Sequence, residues 1–399
     1  MRGAPRSGAW LLVLGLGACA RAPAAEPRVA EPRVAEARSP VPEAVPGAVL
    51  RIGTSGDYAP FSSRDASGTL AGFDIELAEQ LAADLGLELR WVPFRWPELG
   101  RQLAAGDFDV AMGGVSWQPA RAVSGYMTRA LARGGPCLLG DMSARRVAVN
   151  RGGVLEAWAR GHLADRELVS VDDNPSLPRL LAEGQVGAIV TDSFELHTFE
   201  RPGWARRCEP AHTRKVYWVG PARAAELGAR IDGWLRTHGA RVQATQERWL
   251  GERQRLDAIT HLVDLLARRF AFMPIVAGLK AEHGLPIEDA ARERELLAGV
   301  RESAARSGLP GGPVQDLFAL SIELAKAVQQ RQREASTLDL REQVRPALSA
   351  LGERIIEALA EARAASAPAL EPADLELLSA WLTPEERLRL LDSLRAVLG

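Results

Sequence analysis

The pattern of apolar residues changes once along this chain, near Gly251, and that change constrains the fold more than any other feature. Before it, apolar runs such as VLRIG alternate with stretches of helical periodicity, an order typical of a parallel α/β sheet. After about residue 254, apolar residues recur only at three- and four-residue steps, as they do along amphipathic helices. The sequence therefore predicts an α/β domain over 48–252, followed with almost no linker by an all-α domain over 253–399.

The same patterns predict individual elements. In the α/β domain we expect a helix over 74–86, a strand over 87–94 and a long helical stretch over 222–250. In the all-α domain one apolar stripe runs from Leu262 to Lys280, and it is followed by helices over 290–306 and 313–334. A further helix begins at Thr383, because the run Thr-Pro-Glu-Glu supplies an N-cap, a proline at the first helical position and a capping-box glutamate.

Composition and charge narrow the functional classes. A length of 399 residues favours two or three domains, and 47% hydrophobic with 25% charged residues is typical of a soluble globular protein. The net charge of −2 and the lack of a basic run argue against nucleic acid as a partner. Arginine is the default cation, because only three of the 49 basic residues are lysine: Lys215, Lys280 and Lys326.

The N-terminal residues predict export. Two arginines precede the short apolar run Trp10–Leu16, which is too short to span a bilayer, so 1–19 is interpreted as a signal peptide. The run ends in Leu-Gly-Ala-Cys, which resembles a lipobox and predicts lipidation of Cys19; simple signal-peptidase cleavage nearby is the alternative. Residues 20–47 repeat AEPRV and are rich in proline, so we expect an extended tether.

Cysteine usage agrees with an exported chain. If Cys19 carries lipid, Cys137 and Cys208 remain and can pair in a disulfide, which an exported protein permits. Two unpaired buried thiols are the alternative. The expected location is the periplasm, with contact to a membrane only through the lipid anchor.

Charged side chains interrupt the apolar stripe of the first predicted helix in the all-α domain. Arg269 and Lys280 are 11 residues apart, close to three helical turns, so they share a face with Leu262 and Val276. Gln329 lies on another inward stripe. The simplest interpretation is packed stems with solvated polar ends, but buried charge is costly unless carboxylates or an anionic ligand compensate it.

Residues 254–334 resemble the all-helical class of chorismate mutase, an enzyme that converts chorismate to prephenate. The resemblance rests on the spacing of Arg269 and Lys280, the turn GLPIEDAARERELL and the closing SIELAKAVQQ. It implies that Arg269 and Arg292 hold the substrate carboxylates and that Lys280 binds a carboxylate and the ether oxygen. Gln329 would donate to the same ether oxygen, and Glu293 would bind the ring hydroxyl.

The helices after 337 resemble the exported subclass of these mutases, in which a longer chain completes its own active site. Arg354 is the predicted arginine for this role, and Arg345 is the second choice. Asp289, in the turn GLPIEDAARERELL, is a further candidate substrate-binding residue. Ala325 stands where relatives often have Ser or Thr, which removes one hydroxyl contact.

Residues 48–250 resemble the type 3 periplasmic solute-binding fold and, within it, the cyclohexadienyl dehydratases, which act on prephenate or arogenate. The resemblance rests on the segments GDYAPF, GFDIELAEQLAADLG, GDFDVAMGGVS, NRGG and VTDSFE. It implies that Glu195 is the general acid, a role that needs a carboxyl kept protonated in an apolar cleft. The predicted substrate-binding residues of this domain are Arg121, Ser116, Gly153, Asp192 (for an amino group) and Asp57.

Several of these residues also have a plainer interpretation. Glu195 is compatible with a solvated helix position, Asp57 with shaping the first turn, and Trp96 and Trp117 with core packing. After NRGG the chain has Val154 and Leu155, where the dehydratases place Thr and Asn. That difference removes two polar side chains that would contact a substrate.

The sequence thus predicts a bifunctional periplasmic enzyme, a chorismate mutase joined to a cyclohexadienyl dehydratase of phenylalanine biosynthesis. The alternatives are a mutase fused to a receptor for prephenate or an amino acid, and a non-catalytic scaffold lipoprotein. No metal or other cofactor is predicted, because no metal-ligand cluster or phosphate-cradling glycine loop is apparent. The expected partners are chorismate, prephenate and arogenate, and a homodimer is compatible with the sequence.

Overall fold

The computed structural model describes residues 48–199, 201–209, 213–251, 254–365 and 369–399. The predicted signal peptide (1–19), the lipid site at Cys19 and the tether (20–47) lie outside these residues. Within the described ranges, none of the helices has the length and apolar character needed to cross a membrane. These residues belong to one compact unit, in which we distinguish an α/β part (48–251) and a helical part (254–399).

The strands all lie in the α/β part of the described chain. In chain order they are β1 (Val49–Thr54), β2 (Asp57–Tyr58), β3 (Ser62–Arg64), β4 (Leu70–Ala71), β5 (Glu88–Pro93), β6 (Val110–Ala111), β7 (Tyr126–Met127), β8 (Ala132–Gly134), β9 (Pro136–Gly140), β10 (Arg146–Asn150), β11 (Glu167–Val171), β12 (Ala188–Asp192), β13 (Ala205–Cys208), β14 (Thr213–Lys215) and β15 (Trp218–Val219).

Two five-stranded sheets form two lobes. The first lobe has the strand order β5-β1-β6-β15-β7 and the second has β11-β10-β12-β9-β13. The strands linked by helices are parallel, as the alternating pattern predicts, whereas β15 and β9 run antiparallel to their neighbours. The chain leaves the first lobe through β8 and returns through β14, and these two crossover strands pair antiparallel with Arg214 opposite Arg133. A cleft therefore lies between lobes that are joined at one place.

The helices of the α/β part cover both sheets. They are α1 (Phe73–Asp84), α2 (Leu99–Ala105), α3 (Pro119–Ala122), α4 (Val154–His162), α5 (Ser176–Ala182), α6 (Leu196–Phe199), α7 (Ala224–Thr237) and α8 (Gly239–Leu250). The helical stretch predicted over 222–250 consists of two helices that are separated at His238. Gly239 begins the second, and glycine's low helix propensity favours a break at this point.

Cys137 and Cys208, the predicted pair, form a disulfide between the adjacent strands β9 and β13. They are directly opposite each other in the antiparallel register, which brings their side chains to the same face of the sheet. The bridge closes a loop of the second lobe with a sequence separation of 71 residues.

The helical part consists of α9 (Ala258–Ala271), α10 (Met273–Glu282), α11 (Ala290–Arg306), α12 (Gly311–Arg331), α13 (Arg345–Ala364) and α14 (Pro384–Leu398). Short turns of other helical types precede the last two, at Leu340–Val344 and Pro372–Leu378. The stripe from Leu262 to Lys280 is therefore not one continuous helix. It breaks at Phe272, because Pro274 has no N–H with which to continue the helical hydrogen bonds.

The two parts share one of the hydrophobic clusters of the described chain, so the predicted boundary near Gly251 does not separate two independently packed bodies. Buried side chains of the first lobe, such as Phe108 and Trp218, belong to the same cluster as Leu262 and Phe272 of the helical part. Trp117 packs edge-on against Phe272, with their ring centroids 6.0 Å apart. The helical part thus continues the core of the first lobe.

A buried charged cluster lies at this junction. Asp264 of α9 accepts from Arg214 of β14, and its other oxygen is 2.7 Å from Nη2 of Arg268. Arg268 is fully buried and donates from Nη1 to the carbonyl oxygen of Thr128 at 2.9 Å. Burial opposes ionisation of Asp264, but the charges of Arg268 and Arg214 hold its pKa below the ordinary value. These ion pairs attach α9 directly to a crossover strand.

Candidate functional site

The cleft between the two lobes contains a compact cavity of about 50 Å³. Its lining comes from both lobes and from the returning crossover strand, and it includes Tyr58, Trp96, Ser116, Arg121, Glu195 and Lys215. The predicted residue Gly153 also lines it. The chain therefore brings together four of the residues that the sequence singled out for this domain, namely Ser116, Arg121, Gly153 and Glu195.

Glu195 lies at the end of the short turn that follows β12, and only 1% of its surface is exposed. Burial, assisted by the nearby charge of Asp192, raises its pKa to about 8, although a hydrogen bond from Thr191 opposes the shift. The hydroxyl group of Thr191 donates to Oε2 of Glu195 at 2.6 Å. A carboxyl in this environment is protonated at neutral pH and can donate a proton.

Lys215, on the crossover strand β14, is a cleft residue that the sequence did not single out. Its ammonium group lies 2.9 Å from Oδ2 of Asp192 and donates to the hydroxyls of Tyr58 at 2.7 Å and Ser116 at 3.1 Å. Only 3% of its side chain is exposed. The scarcity of lysine in this chain was the one available signal for it.

Asp192 and Asp57, two predicted substrate-binding residues, have other partners in the structure. Asp192 is fully buried and paired with Lys215, so it does not offer a free carboxylate to an amino group in the cavity. Asp57 does not line the cavity; it accepts a hydrogen bond from Nε1 of Trp96 at 3.2 Å. Asp57 therefore orients a cleft wall instead of contacting a ligand.

Arg121 is the available cation of the cleft. Its Nη1 donates to the carbonyl oxygen of Ser116 at 3.0 Å, and burial lowers its pKa to about 10. No carboxylate among the described residues forms an ion pair with it. On the opposite wall Gly153 caps the N-terminus of α4, and Val154 and Leu155 add apolar surface. The cavity can therefore bind an anion on Arg121 beside a protonated carboxyl.

A second cavity, of about 130 Å³, lies inside the helical part. Five cationic side chains and two carboxylates line it. They are Arg269, Lys280, Arg292, Lys326 and Arg345, and Asp289 and Glu293. This excess of positive charge suits a ligand with two negative charges.

Arg269 is the most buried cation of this cavity, with 6% of its surface exposed. Burial lowers the pKa of its guanidinium group to about 10, and no described carboxylate compensates the charge. Its Nε has no hydrogen-bond partner among the described residues. Because an uncompensated buried charge is costly, an anionic ligand at this position would restore the missing interaction.

Two further polar side chains line the same space. Lys280 donates to the carbonyl oxygen of Ile287 at 2.8 Å, which leaves two of its protons for a ligand. Burial and the charge of Arg345 lower the pKa of Lys280. Gln329 is 5% exposed, and its Nε2 donates to the carbonyl oxygen of Ala325 at 3.3 Å and to Sδ of Met273 at 3.6 Å. Its Oε1 has no hydrogen-bond partner among the described residues.

The start of α11 contributes the charged turn that the sequence singled out. Asp289 caps the helix by accepting from the backbone N–H of Arg292 at 3.2 Å. Glu293 accepts from the N–H of Asp289 at 3.4 Å and from Nζ of Lys326 at 3.2 Å. Helix capping thus fixes the backbone from which Arg292 and Glu293 reach the cavity.

Arg354, predicted to complete this cavity, lies elsewhere. Its guanidinium group donates to the carbonyl oxygen of Met127 at 2.8 Å and to Oδ2 of Asp232 at 3.0 Å, both in the first lobe. It also stacks over the ring of Tyr126, 4.6 Å from the centroid. Arg345, the second choice, is the arginine of α13 that lines the cavity.

The two lobes, the paired crossover strands and the polar cavity between them define a two-lobed solute-binding fold. The chain belongs to the bacterial extracellular solute-binding proteins, family 3, whose model matches residues 50–365. It is 35% identical over 161 residues to the cyclohexadienyl dehydratase of Pseudomonas aeruginosa, covering 37% of this chain and 60% of that protein.

Other relatives are binding proteins. The L-cystine-binding protein TcyJ of Escherichia coli is 29% identical over 157 residues, covering 36% of this chain and 58% of the relative. The chain thus spans about 60% of the length of these curated relatives. A solved ancestral amino acid-binding protein, described as a precursor of cyclohexadienyl dehydratase, matches with 25% identity and a TM-score of 0.46, covering 51% of this chain and 95% of that chain.

Proposed function

We propose that the helical part catalyses the rearrangement of chorismate to prephenate. The observation that carries the proposal is Arg269, a buried cation that lines the cavity with no described carboxylate to compensate it. Chorismate is a dianion, and planar guanidinium groups pair with its carboxylates through two parallel hydrogen bonds. The chain's resemblance to helical chorismate mutases supports the same assignment.

The reaction needs no nucleophile and no proton transfer. The ether C–O bond of chorismate breaks while a C–C bond forms, and negative charge builds on the ether oxygen. In the proposed site Arg269, Arg292 and Arg345 hold the carboxylates, which keeps the substrate in its compact conformer. Lys280 and Gln329 donate to the ether oxygen and stabilise charge that develops in the transition state. Glu293 accepts a hydrogen bond from the ring hydroxyl.

The test is the consumption of chorismate by the purified chain, followed by ultraviolet absorbance. Arg269→Ala and Lys280→Ala should each abolish turnover, while circular dichroism shows that the helices are retained. Undiminished turnover in either variant would disprove the assignment of the site. A wild-type protein that leaves chorismate unchanged would disprove the function.

We further propose that the α/β part dehydrates and decarboxylates prephenate to phenylpyruvate. Glu195 carries this proposal, because its buried carboxyl has a pKa of about 8 and lines the same cavity as Arg121. The neutral carboxyl protonates the departing ring hydroxyl, which leaves as water while the ring carboxylate leaves as CO₂ and its electrons complete the aromatic ring. Arg121 binds the remaining carboxylate, and the N–H groups that follow Gly153 add donors.

Prephenate is favoured over arogenate in this site. Arogenate differs by an ammonium group, and the acidic partner expected for it, Asp192, already forms an ion pair with Lys215 at 2.9 Å. The experiment is to supply each compound and to look for phenylpyruvate or phenylalanine. Faster conversion of arogenate would contradict this preference.

A receptor function is the second candidate for the α/β part. Val154 and Leu155 present apolar side chains to the cavity, and relatives such as TcyJ are binding proteins. Tight binding of prephenate or an amino acid, with no product formed, would select this function.

We also propose an exported protein anchored through lipid at Cys19, for which Cys19→Ala should release the protein from membranes.

A further inference from the structure

Each of the three lysines of the chain lines one or the other of the two cavities described above. Lys215 faces the cleft, and Lys280 and Lys326 face the helical cavity, although lysine makes up only three of the 49 basic residues. A lysine places a compact charge on a flexible stem, whereas arginine presents a planar fork, so the two are not interchangeable at a site. Lys215 pairs with Asp192, and Lys280 is a donor of the proposed mutase site. Lys326 has no role in the mechanism described above.

Lys326 lies one helical turn before Gln329 on α12, so both side chains reach the same cavity. Its Nζ is 3.2 Å from Oε2 of Glu293, across the contact between α11 and α12. About a quarter of each side chain is exposed, at 25% and 26%. Ion pairs with this degree of exposure contribute little to folding stability, so stability alone does not account for this one.

The pair matters for what Glu293 presents to a ligand. One oxygen of Glu293 accepts from the N–H of Asp289 at 3.4 Å, and the other contacts Lys326. Without Lys326, Glu293 would direct a full negative charge at the carboxylates of a dianionic substrate in the same cavity. With Lys326, the carboxylate is held in one orientation and its charge is compensated, while it can still accept a hydroxyl.

We propose that Lys326 is a positioning residue for the mutase reaction, which orients Glu293 as the acceptor of the substrate's ring hydroxyl and cancels its repulsion of the substrate's carboxylates. This inference rests on the proposed mutase function. It predicts that Lys326 acts on substrate binding through Glu293 and not by direct contact with the substrate.

The experiment is a double-mutant cycle in the full chain with chorismate as substrate. Lys326→Met keeps the apolar stem and should lower kcat/KM about tenfold, mainly through KM, because the uncompensated Glu293 repels the ground state and the transition state alike. Lys326→Arg retains the charge and should recover kcat/KM to within about threefold of wild type. In the Glu293→Gln background, Lys326→Met should change kcat/KM by less than about twofold.

Arg389→Met is the matched control. Arg389 of α14 forms an ion pair at 2.9 Å with Glu323, which is on α12 like Lys326. Both side chains are more than half exposed, and neither residue lines the cavity. Lys326→Met and Arg389→Met should each leave the unfolding midpoint within about 3 °C of wild type. Only Lys326→Met should change the KM for chorismate.

The outcomes separate this inference from the function on which it rests. Wild-type turnover with an unchanged Lys326→Met variant would overturn the role of Lys326 alone. An equal loss in the wild-type and Glu293→Gln backgrounds would overturn it as well, since Lys326 would then act independently of Glu293. A wild-type protein without turnover would overturn both.

Discussion

At Glu195, two features of the surroundings raise the pKa of the carboxyl group together. Burial removes the water that would solvate the ionised form, and the charge of Asp192 opposes a second negative charge nearby. The hydrogen bond from Thr191 and the charge of Lys215 pull in the opposite direction but are outweighed. A general acid with these neighbours is protonated below a pH of about 8 and ionised above it.

The proposed dehydratase activity should follow that titration. We expect phenylpyruvate formation from prephenate to be maximal below pH 8 and to fall as the pH rises through about 8, because only the protonated Glu195 can donate. Glu195→Gln removes the acidic proton and should lower kcat by about 10²–10⁴-fold. Thr191→Val is a companion variant that deletes the hydrogen bond favouring ionisation, so the falling limb should move to higher pH. An unchanged rate for Glu195→Gln would contradict the role of general acid.

Arg345 and Arg354 show how two arginines of one helix have different tasks. They are nine residues apart on α13, about two and a half turns, and therefore point to opposite faces. Arg345 lines the helical cavity, whereas Arg354 binds Asp232 of the first lobe. The sequence presents both as candidates, since only the packing partners of the helix decide which face looks into the cavity.

Substitution should separate the two. Arg345→Ala removes a cation from the proposed mutase site and should lower kcat/KM for chorismate by about 10²-fold or more. Arg354→Ala should leave the chemical step nearly intact and instead reduce the free energy of unfolding by about 1–3 kcal/mol, because Asp232 loses a charged partner. Steady-state kinetics and urea unfolding measure the two effects. The reverse pattern would restore Arg354 to the site.

At the scale of elements, helix α9 connects the two parts because consecutive residues face different neighbours. Asp264 and Arg268 are four residues apart and face the first lobe and the crossover strand, whereas Arg269 turns about 100° further and lines the cavity. The helical period thus predicted that Arg269 is inward. It did not predict the buried charged cluster, because Arg214, the residue that completes it, is 50 positions away in the sequence.

The same distinction describes how much of the sites could be predicted. Arg269, Arg292 and Gln329 lie on three different helices, and the resemblance to helical chorismate mutases assigned them to one site; the structure places all three in the lining of one cavity. Lys215 was missed, since its pairing with Asp192 depends on two strands brought together by the crossover. Breaks at Phe272 and His238 were missed for a related reason. Apolar periodicity continues across a kink and does not mark it.

The buried cluster should be the most sensitive point of α9. Asp264→Asn leaves the fully buried Arg268 without its carboxylate and should reduce the free energy of unfolding by about 3–5 kcal/mol. Glu323→Gln, which weakens an exposed ion pair of α12, is the control and should change it by less than about 1 kcal/mol. Urea denaturation followed by circular dichroism measures both. Equal effects would show that the cluster contributes no more than a surface pair.

At the scale of the whole molecule, one hydrophobic cluster runs from the first lobe into the helical part and packs these two as one structural unit. Phe108, Trp117 and Trp218 of the first lobe pack in the same cluster as Leu262 and Phe272. The helical part therefore packs directly onto the family-3 fold and is not a separately packed domain. The pattern change near Gly251 marks a change of secondary structure and not a gap in packing.

The alternation of side chains along β14 has a consequence for anyone who would graft this helical part onto another solute-binding protein. Lys215 faces the cleft and its neighbour Arg214 faces Asp264, as successive residues of a strand must. The position beside a cleft lysine is thus reserved for the helical part. A recipient would have to carry an arginine at the position of Arg214 in its returning crossover strand. A recipient protein is therefore compatible with the helical part only if its crossover strand carries this arginine. A recombination point near Gly251 would transfer Asp264 with the helical part but would leave Arg214 behind.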